Sequence, residues 1–180
     1  LDEVYSFAEK YGLRVIEDAA HALGGKYKGR KVGSFGDIAC FSFDGIKNIT
    51  SGEGGCIVTN DNSVIKKISN ARLLGVENDS EKRASGKRSW DFDVKYQGWR
   101  YHMSDIMAAI GIVQLKRFSE LALKRQKIAK TYDLLLAKSE YISPLLHNYD
   151  EVVPHIYVVR IKGLKNRREL QKRFLIKNIQ

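Results

Sequence analysis

No apolar run in this sequence of 180 residues approaches the roughly 20 needed to cross a bilayer as a helix. No charged-then-apolar leader opens it either, so the cytosol is the expected compartment and no membrane partner is expected. Cysteine is scarce. Its two copies, Cys40 and Cys56, each fall inside an apolar strand pattern, which predicts core thiols and no disulfide framework. No His/Cys/carboxylate cluster has zinc-ligand spacing, so no metal is expected. Internal repeats and low-complexity segments are absent. Acidic residues are outnumbered, 21 against 31 Lys and Arg, which leaves a formal charge of +10. Much of the excess comes from Lys82, Arg83, Lys87, Arg88 and Lys95, and from Arg167, Arg168, Lys172 and Arg173. Such a balance suits an anionic partner or a solvated basic surface. No zinc finger, helix-turn-helix or aromatic-stacking module accompanies it, so nucleic acid is not the expected partner. A phosphate-bearing small molecule remains open.

What is present fits a folded globular chain: 43% of residues are hydrophobic and 29% charged. Leu1 is not a start methionine, and helical patterns run to both ends, so truncation at both ends is expected. Val4, Phe7, Ala8 and Tyr11 recur at helical spacing over Asp2–Tyr11, with Gly12 as the stop. Leu13–Glu17 reads as a short buried strand with Asp18 at its carboxyl end. Gly24–Gly36 reads as a loop or small hairpin, and Asp37–Phe43 and Gly55–Thr59 as two further strands. Asp61 is placed to cap a helix carrying Val64, Ile65, Ile68, Ala71 and Leu74. Gly75–Gln97 is basic and poor in aliphatics, consistent with a mobile surface segment. Ser104 caps a helix over Asp105–Arg117 whose Ala108, Ala109 and Gly111 permit close backbone approach. A second, amphipathic helix is predicted over Ser119–Glu140, with Leu123, Ile128, Tyr132, Leu135 and Leu136 as candidate buried positions. Pro144 breaks that pattern, Val152–Ile161 reads as a strand containing Pro154, and Asn166–Asn178 as a basic helix. Helices alternating with buried strands indicate an α/β layered domain, in which ligands gather beyond the carboxyl ends of strands.

The loop between the second and third strands carries Lys47, flanked by Gly45 and the run Gly52-Glu53-Gly54-Gly55. An amine held there can form a Schiff base with a carbonyl cofactor. A pyridoxal cofactor needs such an amine, partly desolvated so that its lone pair is free. It also needs a carboxylate against the pyridine nitrogen, for which Asp18 is the candidate, and hydroxyls or amides to grip its phosphate, for which Ser42 is a candidate. Taken singly, each has a duller explanation: a solvated loop lysine, a helix-capping aspartate, an ordinary strand serine, a surface histidine at His21. Their order along the chain favours the chemical reading. Gly52-Glu53-Gly54-Gly55 lacks dinucleotide-fingerprint spacing, and Gly86-Lys87-Arg88-Ser89 lacks the upstream glycine of a phosphate loop.

Glu17-Asp18-Ala19-Ala20-His21-Ala22, Gly33-Ser34-Phe35-Gly36-Asp37, Phe41-Ser42-Phe43 with Lys47-Asn48-Ile49-Thr50, and Gly98-Trp99-Arg100-Tyr101-His102-Met103-Ser104-Asp105 keep one order and spacing. Together they resemble the DegT/DnrJ/EryC1/StrS family. The resemblance implies an α/β fold of the PLP-dependent transferase fold type I (aspartate aminotransferase-like). Residues 1–117 would be the C-terminal half of the large PLP-binding domain. Residues 118–180 would be a linking helix and the start of a small α+β C-terminal domain. It implies transamination of a nucleotide-diphosphate keto sugar with glutamate as amino donor, for surface-polysaccharide or secondary-metabolite sugars, in a homodimer. The implied cofactor is pyridoxal 5'-phosphate, with pyridoxamine phosphate as intermediate. Lys47 is implied as the Schiff-base and catalytic residue, Asp18 as partner of the pyridine nitrogen, His21 near the ring hydroxyl, and Ser42 on the phosphate.

Retention of Lys47 separates the chain from a related branch that carries histidine there and dehydrates. Three departures stand out. Asp44 replaces a frequent histidine. Arg100 stands where asparagine commonly reaches the cofactor phosphate of the neighbouring subunit, a role carried over to it here. The upstream glycine/threonine phosphate cup is absent. The alternative is a truncated, catalytically silent fragment of such an enzyme.

Overall fold

The computed structural model describes residues 1–77, 82, 84–87, 92–94 and 96–179. Its elements, in chain order, are α1 (Asp2–Tyr11), β1 (Ile16–Asp18), β2 (Lys26–Tyr27), β3 (Arg30–Lys31), β4 (Ile38–Ser42), β5 (Gly55–Thr59), α2 (Asn62–Ala71), α3 (Asp105–Leu136), β6 (Ile142–Pro144), β7 (Val159–Ile161) and α4 (Arg167–Ile176).

Gly12 takes φ +62° and its amide bonds back to the Glu9 carbonyl at 3.3 Å, which ends α1. β1, β4 and β5 form the main sheet in that spatial order, with β1 parallel to β4 and β4 antiparallel to β5. Arg14 fixes the start of this sheet: its guanidinium pairs with Asp37 and Asp61, while Asp37 also accepts the Val15 amide at 2.8 Å. Asp61 is thereby shared between the ion pair and the α2 N-cap, where it accepts from Ser63 and Val64. The core is small: Ala19, Ala39 and Phe41, packed by Ala22, Leu23, Val32, Phe43 and Cys56.

Several elements differ from the sequence expectation. The first strand starts later than Leu13 and is not buried, since Leu13 is exposed and Ile16 is 67% exposed. It pairs only with β4 among the described residues, so its other edge is uncovered. The two predicted helices on either side of Phe118 are one continuous helix, α3. Its buried positions are Ala122 and Ala129, while Leu123, Ile128, Tyr132 and Leu135 are exposed. The strand predicted over Val152–Ile161 shrinks to β7, which pairs with β6, and Pro144 closes β6 opposite Val159. Gly75 and Val76, inside the supposed mobile segment, are buried, and Val76 bridges Val94. Lys82 and Lys87 are exposed, whereas Arg83, Arg88 and Lys95 lie outside the described residues. The thiols are free and half-buried. Cys40 stands opposite Ile57 and Cys56 opposite Phe41, so successive positions on each strand turn the two thiols to opposite faces.

Candidate active site

Because β1 runs parallel to β4, their carboxyl ends share one edge of the sheet. Asp18, the last residue of β1, lies beside Cys40, and Ser42 closes β4 two residues further on. Both chains then turn there. After β1 the Ala22 amide bonds to the Ala19 carbonyl at 2.9 Å, and Asp18 Oδ1 accepts the Ala20 amide at 3.1 Å. This tight turn brings His21 back over the edge.

After β4 the chain forms the lysine loop, closed at its base by Phe43 N–H to the Gly54 carbonyl at 2.8 Å. Inside it, Ser51 N–H and Thr50 Oγ1 both donate to the Phe43 carbonyl, at 2.9 and 3.1 Å. Lys47 N–H donates to the Asp44 carbonyl at 3.0 Å, and Ser42 Oγ accepts the Asp44 amide at 3.3 Å. Ser51 is fully buried and Asn48 is 4% exposed, so the loop is anchored from within. Gly111 of α3 comes within ordinary contact of Ser51: a Cβ there would lie 3.4 Å from Ser51 Cβ. Ala109, by contrast, is exposed.

The two turns meet at Lys47 Nζ, 2.8 Å from His21 Nε2. Lys47 itself is half-buried, and beside it lies an open cleft of about 410 Å³ lined by Gly45, Lys47, Thr50, Gln114, Lys124 and Arg125, among others.

Three residues that sequence reasoning gave no role complete the setting. Asn48 donates through Nδ2 to the carbonyls of Leu23 and Val153, at 3.1 and 3.2 Å. Arg125, on α3, donates to the carbonyl of Lys47 at 3.1 Å and to that of His155 at 3.2 Å. His155 packs its ring on His21. Burial first, and then the positive surroundings of His21, Lys47 and Arg125, hold the His155 imidazole below its ordinary pKa of 6.5, against a smaller opposing effect of Asp44. These partners lie far apart in sequence, and only a histidine within the apolar run Val152-Val153-Pro154-His155-Ile156 hinted at a site role.

Lys47, His21, Asp18 and Ser42 thus gather at one sheet edge. Arg100 does not join them among the described residues. It is exposed and lies in a segment bridged to Leu73, whose neighbours Trp99 and Tyr101 bond to the carbonyls of Ala71 and Arg72 at 2.6 and 2.8 Å.

An amine beside an imidazole, with a carboxylate and a hydroxyl at the same strand ends, is a set of side chains that could hold pyridoxal phosphate. Comparison with known proteins points the same way. The chain is 39% identical over 160 residues to the UDP-4-amino-4,6-dideoxy-N-acetyl-beta-L-altrosamine transaminase of Campylobacter jejuni, covering 88% of this chain and 40% of that protein. Its fold matches Helicobacter pylori PseC, an aminotransferase involved in pseudoaminic acid biosynthesis, with a TM-score of 0.79 and 30% identity, over 98% of this chain and 45% of that one. A Streptococcus pneumoniae protein designated a sugar aminotransferase, solved in PLP and PMP forms, matches with TM-scores of 0.79 and 0.80 at 31% identity. That match covers 95% of this chain and 44% and 43% of those two. The chain therefore spans less than half the length of the curated relatives it matches. These structural neighbours share the fold type I architecture, of which the β1–β4–β5 sheet and its helices form part. The family comparison matches residues 1–180, from first to last, and the chain belongs to the DegT/DnrJ/EryC1/StrS aminotransferase family.

Proposed function

We propose that the protein to which this chain belongs transfers an amino group, with glutamate as donor, to a nucleotide-diphosphate-linked keto sugar. The observation that carries the reading is the 2.8 Å approach of Lys47 Nζ to His21 Nε2 above the edge where β1 delivers Asp18. Pyridoxal phosphate, when bound, supplies an electron sink that stabilises negative charge at the substrate carbon losing its proton.

The chain's own residues supply the rest. Lys47, as its neutral amine, takes that proton and returns it at the neighbouring position, which requires its nitrogen to be held within hydrogen-bond reach. His21 accepts from or donates to that nitrogen, and so shares the proton inventory of the amine. Asp18, exposed at the end of β1 with its Oδ1 accepting the Ala20 amide at 3.1 Å, would supply the carboxylate partner of the pyridine nitrogen. Ser42 offers its hydroxyl towards the phosphate, at the strand end next to the loop. Arg100 is assigned to the phosphate of a neighbouring subunit in a homodimer. The basic segment 82–95, with Lys82, Arg83, Lys87 and Arg88, is assigned to the sugar-nucleotide diphosphate, and its described members Lys82 and Lys87 are exposed.

The division at residues 117 and 118 is kept as a proposal, with the second half of α3 as the linking helix of the small domain. The protein is placed in the cytoplasm, and no helix among the described residues is long and apolar enough to cross a membrane. The test is a coupled assay of 2-oxoglutarate release from glutamate with UDP-linked 4-keto sugars. Activity that disappears in Lys47→Ala supports the proposal. A full-length protein that binds the sugar nucleotide and never releases 2-oxoglutarate is the silent alternative.

A further inference from the structure

His155 belongs to none of the sequence motifs, yet it is built into the same corner as Lys47. Its ring centroid lies 4.2 Å from that of His21 at an interplanar angle of 45°. The backbone beneath it is held at three points. The Val153 carbonyl accepts Asn48 Nδ2 at 3.2 Å, and the Pro154 and His155 carbonyls accept Arg125 Nη1 at 3.5 and 3.2 Å. The same guanidinium donates through Nη2 to the Lys47 carbonyl at 3.1 Å, so one rigid fork ties the peptide of the lysine to the peptide of the histidine.

His21 needs such support. It stands in an exposed turn, and among the described residues its ring has a single hydrogen-bond partner, Lys47. Rotation about its two side-chain torsions would carry Nε2 away from the amine. The restraint on that rotation is the His155 ring. His155 Nδ1 is buried without a partner, and His21, Lys47 and Arg125 all set positive charge nearby, with Asp44 the acid that opposes them. The ring therefore presents a neutral aromatic plane to His21.

We propose that His155 is a positioning residue for Lys47 that acts through His21: its ring fixes the His21 imidazole with Nε2 towards the lysine amine. The geometry stands on its own, and its consequence for turnover rests on the proposed function.

The experiment compares His155→Ala and His155→Phe in the full chain, first without cofactor. Nitrogen-15 spectra of the His21 ring should show one dominant tautomer in the parent and in His155→Phe, which keeps the plane. In His155→Ala the two ring-nitrogen shifts should move towards each other as tautomers and rotamers average. In turnover, kcat should fall about tenfold in His155→Ala with KM for glutamate within about twofold, and His155→Phe should recover to within about threefold of the parent. His155→Gln, polar but without the ring, reads the same way should the alanine variant not fold. An unchanged His21 spectrum in a folded ring-less variant overturns the proposal, whatever happens to kcat. Averaged His21 spectra in a protein without transaminase activity would leave the positioning role intact and remove the proposed function instead.

Discussion

In the proposed reaction the close pair Lys47 Nζ and His21 Nε2 carries the proton transfer, because a nitrogen that must take and return a proton gains from a neighbour that can share it. Asp18 is proposed to contribute a carboxylate to the cofactor ring. Removing a charge-assisted hydrogen bond costs about 1.5–3 kcal/mol, so Asp18→Ala should lower kcat by about 10- to 100-fold, measured as 2-oxoglutarate release at saturating cofactor. Asp18→Glu should fall between that variant and the parent. His155 gives a pH signature. Its imidazole is held below 6.5, so between pH 6.5 and the lower folded midpoint the unfolded chain takes up a proton that the folded chain does not. Stability therefore falls as pH drops through that window and is recovered above it. Denaturant midpoints for His155→Phe should be flatter than the parent's as pH falls below 6.5. That Lys47 and Asp18 would come to one sheet edge was legible because each sits in a short run with its own signal, a glycine-bounded loop and a strand end, whereas His21 was singled out only by the family resemblance. His155 was not legible, because its meaning comes from the His21 ring, far away in sequence, and from Arg125, which no sequence motif singles out.

Helix ends and close approaches carry the fold at the next scale. Asp61 shows both a cap and an ion pair in one side chain, and the Ser63 hydroxyl first, then the Ser63 and Val64 amides and Arg14, hold its carboxyl down to a pKa of about 2. Asp61→Ala should lower the thermal midpoint by about 2–4 °C, while Asp61→Asn, still a capper, should lose less. Gly24 takes φ +82°, and a Cβ there would run into the Phe118 ring of α3. Gly24→Ala should destabilise by about 1–3 kcal/mol in denaturant melts, since both strain and overpacking oppose it. That contact also explains why α3 was read as two helices. Its first half sets Gly111 against Ser51 of the lysine loop, and Phe118 then reaches Gly24. Its second half turns Gln126 and Arg125 to the carbonyls of Tyr149, Val152, Pro154 and His155. The change of partner shifts the apolar pattern at Phe118, but no glycine or proline stands next to Phe118 to break the helix. Capped helices and the β4–loop–β5 hairpin were readable because their signals are local. Of the short β6–β7 pair, β7 fell inside the strand expected over Val152–Ile161, whereas β6 was not legible, because Pro144 signals only the end of a helical pattern and the pairing is long-range.

At the scale of the whole molecule, the chain leaves apolar surface open where its relatives have more than twice the sequence. Ile16 on the unpaired edge of β1 and Ile57 and Val58 on β5 are exposed, as are Leu123, Leu134 and Leu135 along α3. An open apolar edge strand invites pairing. The 180-residue chain by itself is therefore expected to self-associate at micromolar concentration by size-exclusion chromatography with light scattering, and a sharp monomer peak would contradict this. The burial of β1 was misjudged for the same reason: its pattern is that of an inner strand, while among the described residues it has one neighbour. Fold class was legible all the same, since strand ends, glycine loop and helix caps agree on one sheet edge. The central claim is that this edge makes one lysine amine unlike the others. Incubation of the full chain with pyridoxal phosphate, borohydride reduction and peptide mass spectrometry tests it directly. The account predicts a single modified position, Lys47, at stoichiometric cofactor. Modification spread over exposed lysines, or centred on Lys124 across the cleft, would contradict it.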